Sequence, residues 1–447
     1  MSNSSPQSSH PPEAWKSVRR AAVAIASPIQ RILAVEAASG IILLAATAVA
    51  LVWANVAPHT YHDVFETPLG LTLGTETFER SLHFWINEGL MTVFFFVVGL
   101  EIRREIYEGE LATLRQAALP FIAALGGMIV PALVFVALNA GREGLSGWAV
   151  PMATDIAFAV GVLTLLGRRV PGSLRVLLLA LAVIDDIGAI VVIALVFNTG
   201  MSIHGLVISI AAIGTTIALR GAGVRSPLVY LIPGILLWIG LLEAGVHPTL
   251  DGVLLGLLTP VRPWFGPSGF AETTKDQLTD LDTQDRDALL ARLDEIEIAR
   301  REAVSPVDRL VHVLHPWVAF VIMPLFALAN AGVSLGGADL GGDALWVFLG
   351  IAIALPVGKL LGIAGFSLAA TKLRLAVRPA ELGSRAFIVL GLVGGIGFTM
   401  SLFIAQLAFP SGALLETAKL AVLTGSGLAI VLGMGAGLVM LRRHSEP

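Results

Sequence analysis

LLLALAVIDDIGAIVVIALV, residues 177–196, is a run of apolar and small residues interrupted only by two adjacent acids, Asp185 and Asp186. About 20 apolar residues in an α-helix cross the hydrocarbon core of a membrane. A carboxylate at that depth costs roughly 2.5 to 3.5 kcal/mol on insertion scales. The stretch therefore predicts a transmembrane helix in which two acids have a function.

The composition of the whole chain agrees with a membrane protein. Its 447 residues are 55% hydrophobic and only 14% charged, and the mean hydropathy is +0.82. Soluble domains usually have about a quarter of their residues charged. With no cysteine, disulfides, thiolate metal sites and thiol catalysis are excluded. The net charge of -4, without a basic run, gives no sign of a nucleic-acid partner.

Apolar segments recur along the chain between charged or Pro/Gly-rich stretches. They predict an all-α polytopic membrane protein with twelve transmembrane helices, in one domain over residues 31–441, after a flexible cytoplasmic tail over residues 1–30. The seventh and eighth segments are short. The twelve segments are 32–56, 83–100, 117–138, 147–166, 174–197, 202–219, 227–242, 246–262, 312–333, 345–371, 385–408 and 417–441.

Lysine and arginine concentrate in every second loop. Arg103 and Arg104 follow segment two, and Arg168 and Arg169 follow segment four, whereas the alternate loops have few basic residues. Basic residues accumulate on the cytoplasmic side of a membrane. Both termini are therefore predicted to be cytoplasmic.

Two loops have structure of their own. Residues 61–80 contain Pro68, Gly70 and Gly74 at intervals typical of a short β-hairpin, on the outer side. Residues 265–308 form an acidic cytoplasmic insert, in which Leu289, Leu293 and Ile296 recur at helical spacing. The insert is predicted to be a solvated amphipathic helix rather than a catalytic domain.

Two more ionisable residues lie within apolar segments, Asp155 in segment four and Lys359 in segment ten. A structural ion pair between Lys359 and one acid would account for only two of the four charges. Asp155, Asp185, Asp186 and Lys359 would instead titrate as a coupled group. Carboxylate, hydroxyl and carbonyl oxygens also bind hard cations. The pattern favours an ion site whose acids can release protons.

The backbone near these charges contains helix breakers. Pro151 precedes Thr154 and Asp155 in segment four, and segment eleven contains Gly391, Gly394, Gly395 and Gly397. Close helix packing is an alternative reason for glycine, above all at Gly394. Interrupted segments at matching positions of two halves are typical of inverted-repeat transporters. We expect inverted-topology repeats, segments three to five matching ten to twelve, with broken helices at segments four and eleven.

Six stretches, in this order, resemble the NhaA-type sodium/proton antiporters. They are FFFVVGLEIRREIYEGEL, GWAVPMATDIAFAVGVL, LALAVIDDIGAIVVIAL, GVHPTLDGVLLG, HVLHPWVAFVIMPLFALANAGV and GGIGFTMSLFIA. The resemblance covers about residues 30–440, apart from the acidic insert. It implies a transporter of the bacterial inner membrane, not an enzyme, without a cofactor. Sodium or lithium ions would leave the cell in exchange for a larger number of protons.

The resemblance also assigns roles to residues. Asp186 would be the central carboxylate for cation and proton, Asp185 its essential neighbour, and Lys359 the lysine that pairs with Asp185. Thr154 and Asp155 would lie between the broken-helix ends, where Asp155 compensates positive helix N-termini. The hairpin 61–80 would form a homodimer interface. Positions linked to pH response, and so to pH homeostasis, are Glu101, Arg104, Glu105, His247, His312 and His315.

The chain departs from the family pattern near the pH-response positions. Val311 stands in place of an acid, Asp308 in place of a basic residue, and Glu88 in place of a shorter acid. The insert 265–308 is also unusual.

Three other functions are alternatives for a chain with acids in its apolar segments. An intramembrane aspartyl protease places its two acids on separate helices in Tyr-Asp and Gly-x-Gly-Asp contexts, which Asp185 and Asp186 lack. A cation channel would not need Lys359 among the acids. The most similar alternative is an exchanger of the same architecture that transports potassium or an organic acid.

Overall fold

A computed structural model describes residues 36–441, except 74–75, 199, 201, 264, 280–285, 335, 337–340 and 410. The predicted tail over residues 1–30 lies outside the described residues. The described part is mainly helical, with one pair of strands. Its α-helices are Glu36–Val56, Pro58–Phe65, Leu82–Phe84, Met91–Glu108, Leu114–Asn139, Ile156–Leu165, Gly172–Val196, Ile203–Gly221, Leu231–Glu243, Leu250–Leu258, Gly266–Thr279, Arg286–Glu302, Pro306–Trp317, Met323–Asn330, Gly342–Ile353, Gly365–Lys372, Ser384–Gly394, Phe398–Ala408 and Ala413–Met440.

Short 3-10 and π turns extend or join several of these helices. The 3-10 turns are Glu143–Met152, Gly167–Arg169 and Pro227–Tyr230, and the π turns are Trp85–Leu90, Val318–Ile322, Ala354–Gly358 and Leu360–Ala364. Two π turns flank Lys359, and Pro356, which has no N–H to donate, lies in the first of them. Irregular backbone of this kind is frequent at functional sites.

Eight helices in the described residues are long and apolar enough to cross a membrane, or ten if each of two bent pairs counts as one crossing. Pro227–Glu243 is a shorter apolar helix, and Leu250–Leu258 has only nine residues. These two correspond to the short seventh and eighth segments. The helical membrane architecture agrees with the sequence, whereas the count of twelve stays a prediction.

The two bent pairs lie in the predicted segments four and eleven. Glu143–Met152 and Ile156–Leu165, the first bent pair, are bent by 48°, as are Ser384–Gly394 and Phe398–Ala408, the second bent pair. Each pair is interrupted where the sequence contains helix breakers: the first after Pro151, the second over Gly395–Gly397. The pairs meet at their interruptions, where the Asp155 N–H donates to the Ile396 carbonyl at 2.7 Å.

The strands Pro68–Leu73 and Glu76–Ser81 pair antiparallel, with Leu69 opposite Arg80 and Gly70 opposite Glu79. The predicted hairpin 61–80 is thus shorter than expected, because residues up to Phe65 belong to the helix Pro58–Phe65. Pro58 is the first residue of that helix, where its fixed φ favours helix initiation. We call this end of the molecule the hairpin end.

The acidic insert forms two helices, Gly266–Thr279 and Arg286–Glu302, the second of which contains Leu289, Leu293 and Ile296. Glu302 forms an ion pair with Arg225 in which both side chains are largely buried. Arg262, three residues before the insert, lies over the Tyr107 ring at 5.8 Å. The insert therefore joins the body at the end of Met91–Glu108 that is remote from the hairpin.

Candidate functional site

Lys359 and Asp185 form a buried ion pair at the centre of the molecule. Lys359 Nζ lies 2.5 Å from Asp185 Oδ2, and neither side chain is exposed. Charges in the interior persist when they are paired and hydrogen-bonded. Among the described residues, this ion pair is the only salt bridge that joins the helix Gly172–Val196 to the segment Gly342–Lys372.

The Thr154 hydroxyl connects this ion pair to both bent pairs. Its oxygen accepts a hydrogen bond from Lys359 Nζ at 2.9 Å. It lies 2.7 Å from Asp185 Oδ2 and 2.9 Å from the Gly394 carbonyl oxygen. A hydroxyl has one hydrogen, so Thr154 donates to one of these two acceptors at a time. The ion pair thus extends to the C-terminal end of Ser384–Gly394.

Asp155 accepts hydrogen bonds at the N-terminal ends of the helices that follow the two interruptions. Its Oδ1 accepts from the Phe158 N–H at 3.1 Å, capping the helix Ile156–Leu165. Its Oδ2 accepts from the Thr399 N–H at 3.1 Å and from the Thr399 hydroxyl. A carboxylate interacts favourably with helix N-termini. One side chain therefore binds the N-terminal ends of a helix from each bent pair.

Asp186 differs from its neighbour. It is 2% exposed, and no described residue forms a salt bridge with it or a hydrogen bond with its Oδ1. The Oδ1 of Asp185 also lacks a hydrogen-bond partner within the described part of the chain. Buried polar atoms nearly always have partners. Each of these two neighbouring acids thus has one carboxylate oxygen without a partner among the described residues, which leaves that oxygen able to bind a proton or a cation.

A cavity of about 210 Å³ reaches Asp155 and Asp186. It is lined by apolar side chains such as Phe94, Val183 and Met400, and by the polar Glu101, Arg104, Glu105 and His315. His315 is exposed and marks the mouth of the cavity. Glu101 lies one to two turns before the end of Met91–Glu108 that is remote from the hairpin. The cavity therefore leads to the acids from that end.

The chain matches the model of the family described as Na+/H+ antiporter 1 over residues 30–436. It is 54% identical to the Na(+)/H(+) antiporter NhaA 2 of Sorangium cellulosum, with 97% of this chain and 94% of that protein covered. The NhaA 2 antiporter of Myxococcus xanthus is 50% identical, with 100% and 97% covered. The NhaA antiporter of Cupriavidus necator is 48% identical, with 93% and 91% covered.

The chain belongs to the Na+/H+ antiporter 1 family. Proteins of this family exchange sodium ions for protons across bacterial membranes; they are transporters rather than enzymes and use no cofactor. Within the described residues there is no group of three or more His, Asp or Glu side chains arranged to hold a metal ion.

The geometry brings together some of the site residues that were inferred from the resemblance to NhaA-type antiporters. Asp185, Thr154, Lys359 and the Gly394 carbonyl share one hydrogen-bonded group. Gly395 and Gly397 lie where the second bent pair contacts its neighbours. A Cβ on Gly395 would clash with the Leu355 carbonyl oxygen, and one on Gly397 with the Leu355 side chain.

The residues with a predicted pH response do not all lie together. Glu101, Arg104, Glu105 and His315 line the cavity. His312 is exposed and does not line the cavity. His247 lies elsewhere, with its Nδ1 3.8 Å from Glu88 Oε1.

The structure also shows polar residues that the sequence reasoning missed. Thr399 binds Asp155, and the Ser426 hydroxyl accepts from the Phe398 N–H at 3.0 Å. Both lie in apolar segments, where an isolated hydroxyl usually bonds to its own helix. Only the position of Thr399 in the first turn after the Gly cluster could have pointed to it.

Proposed function

We propose that this antiporter exchanges cytoplasmic sodium or lithium ions for external protons by alternating access of one site, Asp185 and Asp186. The observation that carries the proposal is the buried Asp186 carboxylate, which lines the cavity and has an oxygen without a hydrogen-bond partner in the described residues. A carboxylate in that position binds a proton or, when deprotonated, a hard cation.

The different partners of the two acids support competition between proton and cation. Lys359 compensates the charge of Asp185, whereas the charge of Asp186 is left for a transported ion. In our mechanism both acids are free of protons when a dehydrated sodium ion binds, and Lys359 withdraws from Asp185 as the ion takes its place. Protons then displace the ion on the other side.

Two carboxylates that release protons and bind one cation make the exchange electrogenic. More protons enter than cations leave, so that the membrane potential contributes to export. Each net charge moved is worth about 2.3 kcal/mol per 100 mV. When both acids lose their protons in each cycle, one net charge moves per sodium ion. The membrane potential can then drive sodium out of the cell against its concentration gradient.

The proposed orientation places the hairpin end outside and the cavity mouth in the cytoplasm. It follows from the distribution of basic residues, since Arg104 lines the cavity and Arg103 precedes it on the same helix. Twelve crossings, two broken crossing helices in inverted-topology repeats and two cytoplasmic termini in the inner membrane complete this proposal. The insert 265–308 then lies in the cytoplasm.

Two further functions are proposed for the periphery. The strands Pro68–Leu73 and Glu76–Ser81 form a two-stranded sheet, whose free edges are suited to pairing with a second copy in a homodimer. Glu101, Arg104, Glu105 and His315 at the cavity mouth are positioned to change cation access with cytoplasmic pH. His247 and His312 would act on this response from outside the cavity.

Reconstitution into proteoliposomes with pH and voltage dyes tests the proposal. We expect sodium and lithium, but not potassium, to drive proton movement with a net transfer of charge. Asp186→Asn should abolish exchange, whereas Asp343→Asn, which changes a half-exposed acid paired with Arg142, should retain it. Retained exchange in Asp186→Asn would falsify the assignment, and potassium-driven exchange would favour the potassium alternative.

A further inference from the structure

Three helices contact one another through two layers of side chains between the ion site and the hairpin end. The helices are Met91–Glu108 with the π turn before it, Met323–Asn330, and Phe398–Ala408. The aromatic layer consists of Phe95, Phe326 and Phe403, and the amide layer consists of Asn87, Asn330 and Gln406. Each helix thus contributes one ring and one amide.

The aromatic layer is completely packed. Phe95 and Phe403 have ring centroids 5.5 Å apart, and Phe326 and Phe403 6.2 Å apart. Each of the three rings is at most 2% exposed. Apolar constrictions of this kind exclude ions and water.

The amide layer binds the same three helices together. The Asn330 Nδ2 donates to Asn87 Oδ1 at 2.8 Å, and the Asn87 Nδ2 donates to Gln406 Oε1 at 2.8 Å. Gln406 Nε2 donates to Asn330 Oδ1, completing a ring of hydrogen bonds. His83 Nε2 lies 2.9 Å from the same Asn330 oxygen.

The two layers occupy the path between the cavity and the hairpin. Met400 lines the cavity, and Phe403 and Gln406 follow it on the same helix, about 5 Å and 9 Å further along the axis. Asn87 lies six residues after the hairpin strand that ends at Ser81. The cavity therefore ends below the aromatic layer, with the amide layer beyond it.

We infer that the amide and aromatic layers form the gate that closes the ion site on the hairpin side. Separating the three helices would open a path to Asp186 from that side. Amide groups exchange their mutual hydrogen bonds for bonds to water at small net cost, so the amide layer can open and close repeatedly. Being uncharged, it does not retain a cation that leaves. The inference rests on the proposed alternating access.

The absence of cysteine from the chain allows a clean crosslinking test. The double variant Asn87→Cys/Gln406→Cys, treated with a short bifunctional thiol reagent, should lose at least tenfold of its sodium-driven proton exchange and regain it on cleavage of the crosslink. Binding of radioactive sodium in detergent should persist, because the cavity stays open. The control pair Leu69→Cys/Arg80→Cys bridges only the two hairpin strands, where the residues are register partners, and should retain exchange after crosslinking.

Full exchange in the crosslinked double variant would overturn the gate, while wild-type protein without exchange would instead contradict the proposed function. If the double variant is inactive before crosslinking, the single variant Asn330→Cys is used to test the gate by thiol labelling. A membrane-impermeant thiol reagent on the hairpin side should label it several times faster during turnover than at rest. Labelling at one rate in both conditions, or only from the cavity side, would also overturn the inference.

Discussion

Lys359 Nζ lies 2.5 Å from Asp185 Oδ2, while Asp186, the next residue of the same helix, faces the cavity. Consecutive helical residues point about 100° apart, and this angle separates a carboxylate that is neutralised by lysine from one that is not. The adjacent acids are therefore chemically different, and substitutions should affect them differently.

Replacing Lys359 by alanine should lower stability because Asp185 would remain buried without its cation. Breaking a buried pair costs about 3–5 kcal/mol. We expect a clearly lower melting temperature of the detergent-solubilised protein and an altered proton-to-sodium ratio. The double variant Lys359→Ala/Asp185→Asn, which removes both charges, should recover part of the stability. A wild-type melting temperature and stoichiometry in Lys359→Ala would contradict this role.

The Thr154 hydroxyl should matter for both stability and sodium affinity. Thr154→Val keeps the shape but removes the group that joins Lys359, Asp185 and Gly394, and loss of a partner for buried polar groups costs about 1–3 kcal/mol. A lower melting temperature and a higher KM for sodium are expected. Thr424→Val is the matched control, because that hydroxyl bonds to its own helix at Leu420. Equal effects of the two substitutions would count against Thr154.

Gly395 should not tolerate a methyl group. In Gly395→Ala the new Cβ would meet the Leu355 carbonyl oxygen, which is backbone and cannot turn away. Overpacking of this kind costs about 1–3 kcal/mol and would displace the second bent pair, so both the melting temperature and the exchange rate should fall. Gly435→Ala, in a helix with nothing near its added Cβ, should be neutral or slightly stabilising. If Gly395→Ala behaved like Gly435→Ala, the close contact would be irrelevant.

Acidification of the cytoplasmic side should weaken sodium transport by competition. Protons occupy the carboxylate oxygens that bind the cation, so the KM for sodium should rise by up to about tenfold per pH unit for each competing proton. At saturating sodium the rate should change much less. Everted vesicles, assayed over about two pH units at several sodium concentrations, give both parameters. A KM that does not depend on pH would refute competition at one site.

The sequence alone singled out the four buried charges of the candidate site. Asp155, Asp185, Asp186 and Lys359 stand out because ionisable residues are rare in apolar segments. The positions of the backbone interruptions also followed from Pro151 and the Gly394–Gly397 cluster. These signals are local, since they need only composition and order along the chain.

The partners of those charges could not be read from the sequence. Nothing local distinguishes Thr399, which binds Asp155, from Thr424, which bonds to its own helix. The ring of Asn87, Asn330 and Gln406 was missed for the same reason, because its members are separated by 243 and 76 residues. The start of the hairpin was misplaced since Pro58 initiates a helix that the turn residues do not reveal.

Asp155 joins the two interrupted segments through its own N–H and through both of its carboxylate oxygens. Such a clamp stiffens the crossing of these segments, so its amides should exchange slowly with heavy water. The elasticity needed for a transport cycle must then reside at a distance, in turns such as Trp85–Leu90 and Val318–Ile322. The two bent pairs would then move as one rigid unit, while the π turns in the neighbouring helices would bend.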